Sequence, residues 1–187
     1  MRLIEKATTT QQKCKPWYEE RKYRITASNF GLVAKRKRNH CALARQLLYK
    51  RADNLSVAAV MWGQQHEIDA IRAYKKSLKP GLYVEEAGIF VSSCGFLGAS
   101  PDGVVCNGEK RIKLIEVKCP YRACQGTVRE VCSNNAFCCS LDGNQQPRLK
   151  DTHEYYFQIQ GQMAITRIHV CDFIIWIPND ITVETIA

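Results

Sequence analysis

The sequence predicts one mixed α/β (α+β) domain in which helices come first and a central mixed sheet follows. Three observations carry that expectation. At 187 residues the chain falls in the range of an ordinary domain. Its first eighty residues hold the long apolar periodicity of helices, closed by Pro80-Gly81. Beyond Gly81 the pattern changes to short apolar runs separated by Gly, Pro, Asn and Ser, the mark of antiparallel strands.

In chain order, Pro16–Tyr23 reads as a short polar helix around Trp17 and Tyr23. Thr26 or Ser28 then offers a cap for a second helix carrying Phe30, Leu32 and Val33. Lys35–Arg38 is a basic run, most simply a solvated loop, and a third helix fits Ala42–Lys50. The longest helix is expected over Ala58–Leu78, with Ile68, Ile71, Tyr74 and Leu78 facing a core. Strands are expected at Leu82–Val84, Ile89–Val91, Phe96–Ala99, Gly103–Val105 and Ile112–Cys119, the last the strongest. Arg122–Lys150 reads as an irregular, loop-dominated excursion. Tyr155–Arg167 returns to helix, and Ile168–Ile177 and Ile181–Ile186 to strand. There is no internal repeat and no linker, so residues 1–187 are expected to form one unit.

Composition narrows the function. Lys and Arg number 27 against 18 Asp and Glu, a formal charge of +9. An anionic partner is expected, nucleic acid first, although an acidic protein gives the same charge. With 45% hydrophobic and 24% charged residues the chain is not a disordered one. No apolar run reaches the length of a membrane span and no secretory h-region follows Met1, so an intracellular protein, nuclear or cytoplasmic, is expected. The ten cysteines then read as reduced thiols or metal ligands, not disulfides.

Three residue sets are candidates for chemistry. In Ser100-Pro101-Asp102-Gly103 a turn presents a carboxylate at a strand end. In Leu114–Lys118, Glu116 and Lys118 project from one face of the strand. Carboxylates converging on one point repel unless a cation lies between them. Mg2+ takes few carboxylates, so Asp102, Glu116 and the Val117 carbonyl suffice, with Lys118 beside them to act on water or on phosphate charge. Either motif alone is weak, since Glu20-Arg21-Lys22 also matches Glu-x-Lys. On the long helix, Gly63, Glu67 and Tyr74 share a face, making Glu67 a third acidic group. Taken alone, Glu67 reads more plainly as a surface carboxylate paired with Arg72 or a lysine. The third set is Trp17, Arg21, Arg24 and Ser28. An Arg stacked on an indole four residues earlier, near a hydroxyl at a helix start, suits a phosphate, and suits an ordinary surface helix equally. Gln158 and Gln160 are two apart on the late helix and cannot both face a site.

In order along the chain, Trp17-x3-Arg21-x2-Arg24-Ile25-Thr26-Ala27-Ser28, Trp62-Gly63-x3-Glu67, Gly98–Gly103, Ile115–Pro120 and Gln158-Ile159-Gln160 resemble the YqaJ-like viral recombinases. That group includes lambda exonuclease and lies within the PD-(D/E)XK nucleases. The resemblance runs from about Trp17 to the last strand. It implies a restriction-endonuclease-like core, a central mixed sheet flanked by helices, and Mg2+-dependent hydrolysis of DNA, with Mn2+ as a substitute. Carried over by position, Asp102, Glu116, the Val117 carbonyl and Glu67 become metal ligands and Lys118 the catalytic lysine. Arg21 and Ser28, with Trp17 and Arg24 beside them, become a 5′-phosphate pocket. Gln160, with Gln158 as the other candidate, becomes the supporting glutamine. The implied activity is a 5′-to-3′ exonuclease on double-stranded DNA ends, with a nicking or structure-specific endonuclease and a silent DNA-binding domain as alternatives. Some relatives form a trimeric ring and others act alone. Relatives often continue past the point matching Ala187, which leaves C-terminal truncation open. Cys124, Cys132, Cys138 and Cys139 lack the paired Cys-x2-Cys spacing of structural zinc, so free thiols are expected.

Overall fold

The computed structural model describes residues 2–49, 57–123 and 125–187; Lys50, at the end of the third predicted helix, and Cys124 lie outside them. Helices α1 (Arg2–Ala7) and α2 (Lys15–Lys22) lead into a two-residue strand, β1 (Ile25–Thr26), then α3 (Phe30–Ala34), α4 (His40–Leu48) and the long α5 (Val57–Ser77). Strands β2 (Leu82–Glu85), β3 (Phe90–Val91), β4 (Leu97–Ala99), β5 (Gly103–Asn107) and β6 (Lys110–Lys118) follow. After them come α6 (Val128–Val131), β7 (Cys139–Leu141), β8 (Pro147–Leu149), α7 (Glu154–Thr166), β9 (Cys171–Ile177) and β10 (Asp180–Ile186).

Local chemistry explains where these elements start and stop. Pro16 sits in the first turn of α2, where a missing N–H is harmless. Gly81 takes a φ of +87° just past α5, which few other residues tolerate. The His153 ring accepts the Tyr155 N–H at the start of α7, and Arg167 ends that helix in a left-handed conformation.

The main sheet has the order β10-β9-β6-β5-β2. Strands β6 and β9 run parallel and the other pairs antiparallel, so the sheet is mixed as expected. Central β6 is covered on both faces, and its alternation sorts the core. Leu114 packs with Ile159 and Met163 of α7 and with Phe173 and Ile175 of β9. Ile115 and Val117 pack on the other face with Ala70 and Tyr74 of α5 and Ile174 of β9. Each fully buried Leu, Ile, Val, Phe or Met among them stabilises the fold by about 1.5–3 kcal/mol. The result is α5, sheet, α7, with β6 in the middle. A small second sheet, β1-β4-β3, lets β1 run parallel to β4 and brings the segment after α2 against the Ser100–Asp102 turn.

Several expectations are corrected. Ile68 is 53% exposed, whereas Ala70 is fully buried: the small residue is the one that lets α5 close on the sheet. Neither Thr26 nor Ser28 caps α3. The chain turns through a 3-10 turn at Ala27–Asn29, where the Thr26 and Ser28 hydroxyls bond each other at 3.0 Å. The 122–150 excursion is more ordered than expected. Thr127 and Glu130 form a reciprocal capping box on α6, and β7 pairs with β8 in a hairpin.

One buried polar knot ties the layers together. The Asp172 carboxylate of β9 accepts from Tyr74 Oη (2.5 Å), Thr185 Oγ1 (2.6 Å) and Lys113 Nζ (3.0 Å). Burial, then Asp172 itself, pushes the Tyr74 hydroxyl far above its ordinary ionisation range.

Candidate active site

The end of β6 is where charge collects. Asp102 is clamped to it twice: its main-chain N–H donates to the Ile115 carbonyl (3.1 Å), and its Oδ2 accepts the Val117 N–H (2.6 Å). Glu116, 1% exposed, is held by three side-chain donors. Lys118 Nζ and Gln158 Nε2 (2.6 Å) donate to Oε1, and Gln162 Nε2 (2.6 Å) donates to Oε2. Glu67 approaches from α5. A cavity of about 680 Å³ is lined by Arg21, Glu67, Asp102, Glu116, Lys118 and Gln158, with Val117 also in its wall.

Electrostatics describe a site with too much negative charge. Burial, reinforced by Glu116 and Glu67, pushes the Asp102 carboxyl well above its ordinary range, and burial and Glu116 push Glu67 upward too. Burial alone pulls the Lys118 ammonium down, but Glu116 and Asp102 outweigh it and hold Lys118 protonated far into the alkaline range. That one ammonium is committed to Glu116. Among the described residues, no three His, Cys, Asp or Glu side chains close around a single point. The fit to a divalent cation lies instead in the donor chemistry. Three carboxylates, all hard oxygen donors, gather near Lys118, and two of them resist ionising, so Mg2+ or Mn2+ suits them where a soft metal does not.

Another part of the cavity wall suits an anion. Trp17, only 8% exposed, donates its indole N–H to Ser100 Oγ (3.1 Å), and the Arg21 guanidinium lies 4.1 Å from the Trp17 ring centroid. Arg21 Nη1 also donates to Ser100 Oγ (3.4 Å). Burial lowers the Arg21 ionisation range while Glu116 opposes that, so Arg21 is a cation without full hydration. Ser28 lines the same cavity.

The structure brings Trp17, Arg21, Ser28, Glu67, Asp102, Glu116, Val117, Lys118 and Gln158 to one cavity, and leaves out two expected residues. Arg24 follows the end of α2, where the chain has turned away. Its guanidinium bonds the Glu20 carboxylate (2.6 Å) and carbonyl (2.5 Å). Gln160 is half-buried on another face of α7 and lines no part of the cavity. Gln162, fully buried, takes the place expected of it. The spacing held that signal: Gln158 and Gln162 are i, i+4, one helix face, whereas Gln160 is turned away from both. Ser100, part of the Ser-Pro-Asp-Gly turn, was likewise missed as a polar group of the pocket.

The nine described cysteines are free thiols. Cys119 and Cys138 line the cavity, and burial pushes the Cys119 thiol up to about 12. Cys138 and Cys139 sulfurs lie 3.9 Å apart.

The alkaline nuclease of Orgyia pseudotsugata multicapsid polyhedrosis virus is 26% identical over 92% of this chain, which spans 42% of that relative. Protein R354 of Acanthamoeba polyphaga mimivirus is 28% identical over 92% of the chain, which spans 30% of it. Among solved structures, the Laribacter hongkongensis alkaline exonuclease in complex with dAMP superimposes with a TM-score of 0.66 and 25% identity, covering 93% of this chain and 83% of that one. A SOX–DNA complex matches in fold, with a TM-score of 0.57, 14% identity, and coverage of 92% and 58%. These neighbours agree with a PD-(D/E)XK-like nuclease fold. Residues 16–169 match the YqaJ-like viral recombinase domain, and the chain belongs to that family.

Proposed function

We propose that the chain is a divalent-cation-dependent deoxyribonuclease, working as one domain and removing nucleotides 5′ to 3′ from double-stranded DNA ends. The observation that carries this reading is the meeting of two residue sets in one cavity: an acidic cluster with Lys118, and Arg21 with Trp17, Ser28 and Ser100. A terminal phosphate seated at Arg21 leaves the next phosphodiester facing Asp102, Glu116 and Lys118. The net +9 serves the approach of DNA.

Asp102, Glu116, Glu67 and the Val117 carbonyl would hold the cation, which when bound acidifies a water and neutralises phosphate charge. The chain's own residues do the rest. Lys118 stays protonated, so it is not the base; its N–H groups orient the water and oppose charge growing on the phosphate. Gln158 and Gln162 fix both oxygens of Glu116, leaving the carboxylate little rotational freedom. The guanidinium of Arg21, stacked on Trp17, offers planar donors to the terminal phosphate. In-line attack leaves a 5′-phosphate on the shortened strand, ready for the same pocket.

End-labelled linear duplex and closed circular DNA, each with Mg2+ and with a chelator, test the reading. The linear duplex is expected to be degraded with Mg2+ only, the circle to survive, and a 5′-phosphate end to outpace a 5′-hydroxyl. Asp102→Asn and Lys118→Ala are each expected to abolish hydrolysis while DNA binding persists. Cleavage retained in both variants overturns the site, and rapid nicking of the circle overturns the exonuclease mode.

A further inference from the structure

A second, smaller cavity lies directly behind the proposed phosphate pocket. It has a volume of about 260 Å³ and is lined by Tyr18, Arg21, Lys22, Asn29, Leu48 and Tyr49, with Arg24 at its edge. Arg21 lines both cavities, so the two share that side chain. Two further contacts join them: Tyr18 stands edge-on to Trp17, with centroids 5.1 Å apart, and Thr26 of the smaller cavity bonds Ser28 of the larger.

Its surface differs from an ordinary solvated patch. Tyr49 is 75% exposed, Leu48 63% and Tyr18 53%. Among the described residues, three cations stand with these apolar side chains and no carboxylate lines the groove. The nearby Glu20 pairs with Arg24, and among the described residues Lys22 has no carboxylate partner. Exposed aromatic faces beside cations suit single-stranded nucleic acid, whose bases stack while its phosphates pair. The groove is too small for a duplex.

We propose that this groove receives a single-stranded 5′ extension, the nucleotides lying 5′ to the phosphate held at Arg21. The inference rests on the nuclease reading above and extends it. On a tailed end Arg21 then holds an internal phosphate, whereas on a blunt end it holds the terminal one. An end carrying an unpaired 5′ tail is accepted by threading the tail across Arg21 onto Tyr18 and Tyr49, and the first cut falls beyond the tail. Lys22 neutralises a tail phosphate.

The test compares blunt 5′-phosphorylated duplex with the same duplex bearing a short 5′ oligothymidine tail. Equilibrium binding is measured in chelator and first-cut rate in Mg2+. The wild-type chain is expected to bind the tailed duplex more tightly and to cut it at the tail junction. Tyr49→Ala is expected to weaken tailed binding roughly tenfold, the loss of one base–aromatic stack, with blunt-end binding unchanged. Lys22→Ala is expected to shallow the log–log salt dependence on the tailed substrate alone by about 0.7, one counterion on a single strand. Both residues are exposed, so unchanged melting temperatures are expected. Equal binding of tailed and blunt ends, or equal effects of Tyr49→Ala on both, overturns the groove. Blunt ends cut but tailed ends refused overturns the groove and leaves the nuclease standing. Absence of all cleavage overturns the nuclease reading, while the binding comparison in chelator still decides the groove.

Discussion

Replacing Gln162 with methionine isolates the bond that distinguishes it from Gln160. The bond to Glu116 Oε2 is 2.6 Å long and fully buried, and its acceptor is a carboxylate oxygen with no other described side-chain donor. Losing a hydrogen bond to a charged group costs about 1.5–3 kcal/mol. Methionine conserves volume, so little cavity adds to this. There is an opposing effect, because Gln162 Oε1 is itself buried without a partner and its removal returns about 1 kcal/mol. The lost bond wins, by roughly 0.5–2 kcal/mol, which for a chain this size lowers Tm by about 1–8 °C. A double-mutant cycle with Glu116→Leu, which removes the acceptor and offers Gln162 no new partner, cancels the Oε1 contribution, and its coupling energy is expected near 2 kcal/mol. Gln160→Met, at a half-buried residue outside the cavity, is expected within about 0.5 kcal/mol of wild type. Thermal or urea unfolding in chelator measures the wild type and the four variants. A coupling energy below about 0.5 kcal/mol, or an equal loss from Gln160→Met, refutes the reasoning.

Three further outcomes are expected. Because Asp102 and Glu67 have raised carboxyl pKa values, the folded chain binds protons more tightly than the unfolded one. The contribution of these two groups to metal-free stability is therefore present at acid pH and lost as pH rises through the raised values. Melting curves should show Mg2+ stabilising more at about pH 8 than at about pH 6, and Asp102→Asn flattening the metal-free slope; equal stabilisation at both pH values contradicts this. Arg21→Lys removes the planar donors stacked on Trp17, and the preference for a 5′-phosphate over a 5′-hydroxyl end should fall roughly tenfold, chiefly through KM. Gly161→Ala places a Cβ 2.2 Å from the Phe30 ring, so α3 must shift from α7; a loss of about 1–3 kcal/mol is expected, partly recovered by Phe30→Leu.

Which parts of this arrangement were legible in the sequence follows from how local each signal is. Strand β6 announces itself, since Leu114-Ile115-Glu116-Val117-Lys118 alternates cleanly and both halves of the alternation found separate cores. Helix α5 was readable to within one residue at each end, from its length and its Pro80-Gly81 stop. Its orientation was not, because large residues marked the apolar stripe whereas burial selected Ala70 over Ile68. Arg21 and Arg24 look equivalent in sequence, and only the end of α2 between them sends one to the cavity and the other to Glu20. The capping box of α6 was written plainly in Thr127-x-x-Glu130, but a cysteine-rich, polar surround hid it.

The Asp172 knot bears on more than the core. Tyr74 and Glu67 lie seven residues apart on α5, roughly 10 Å along one rigid rod. The Tyr74 hydroxyl fastens that rod to β9, and Asp172 is in turn braced by Lys113 of β6 and Thr185 of β10. α5 has two independent ways to move on the sheet, sliding and rolling, and apolar packing against Val117 and Ile174 resists neither strongly because it has no direction. A 2.5 Å bond does. The far end of the helix thus acts as the datum from which the third carboxylate is measured, and loss of that hydroxyl would misplace Glu67 well before the chain lost its fold.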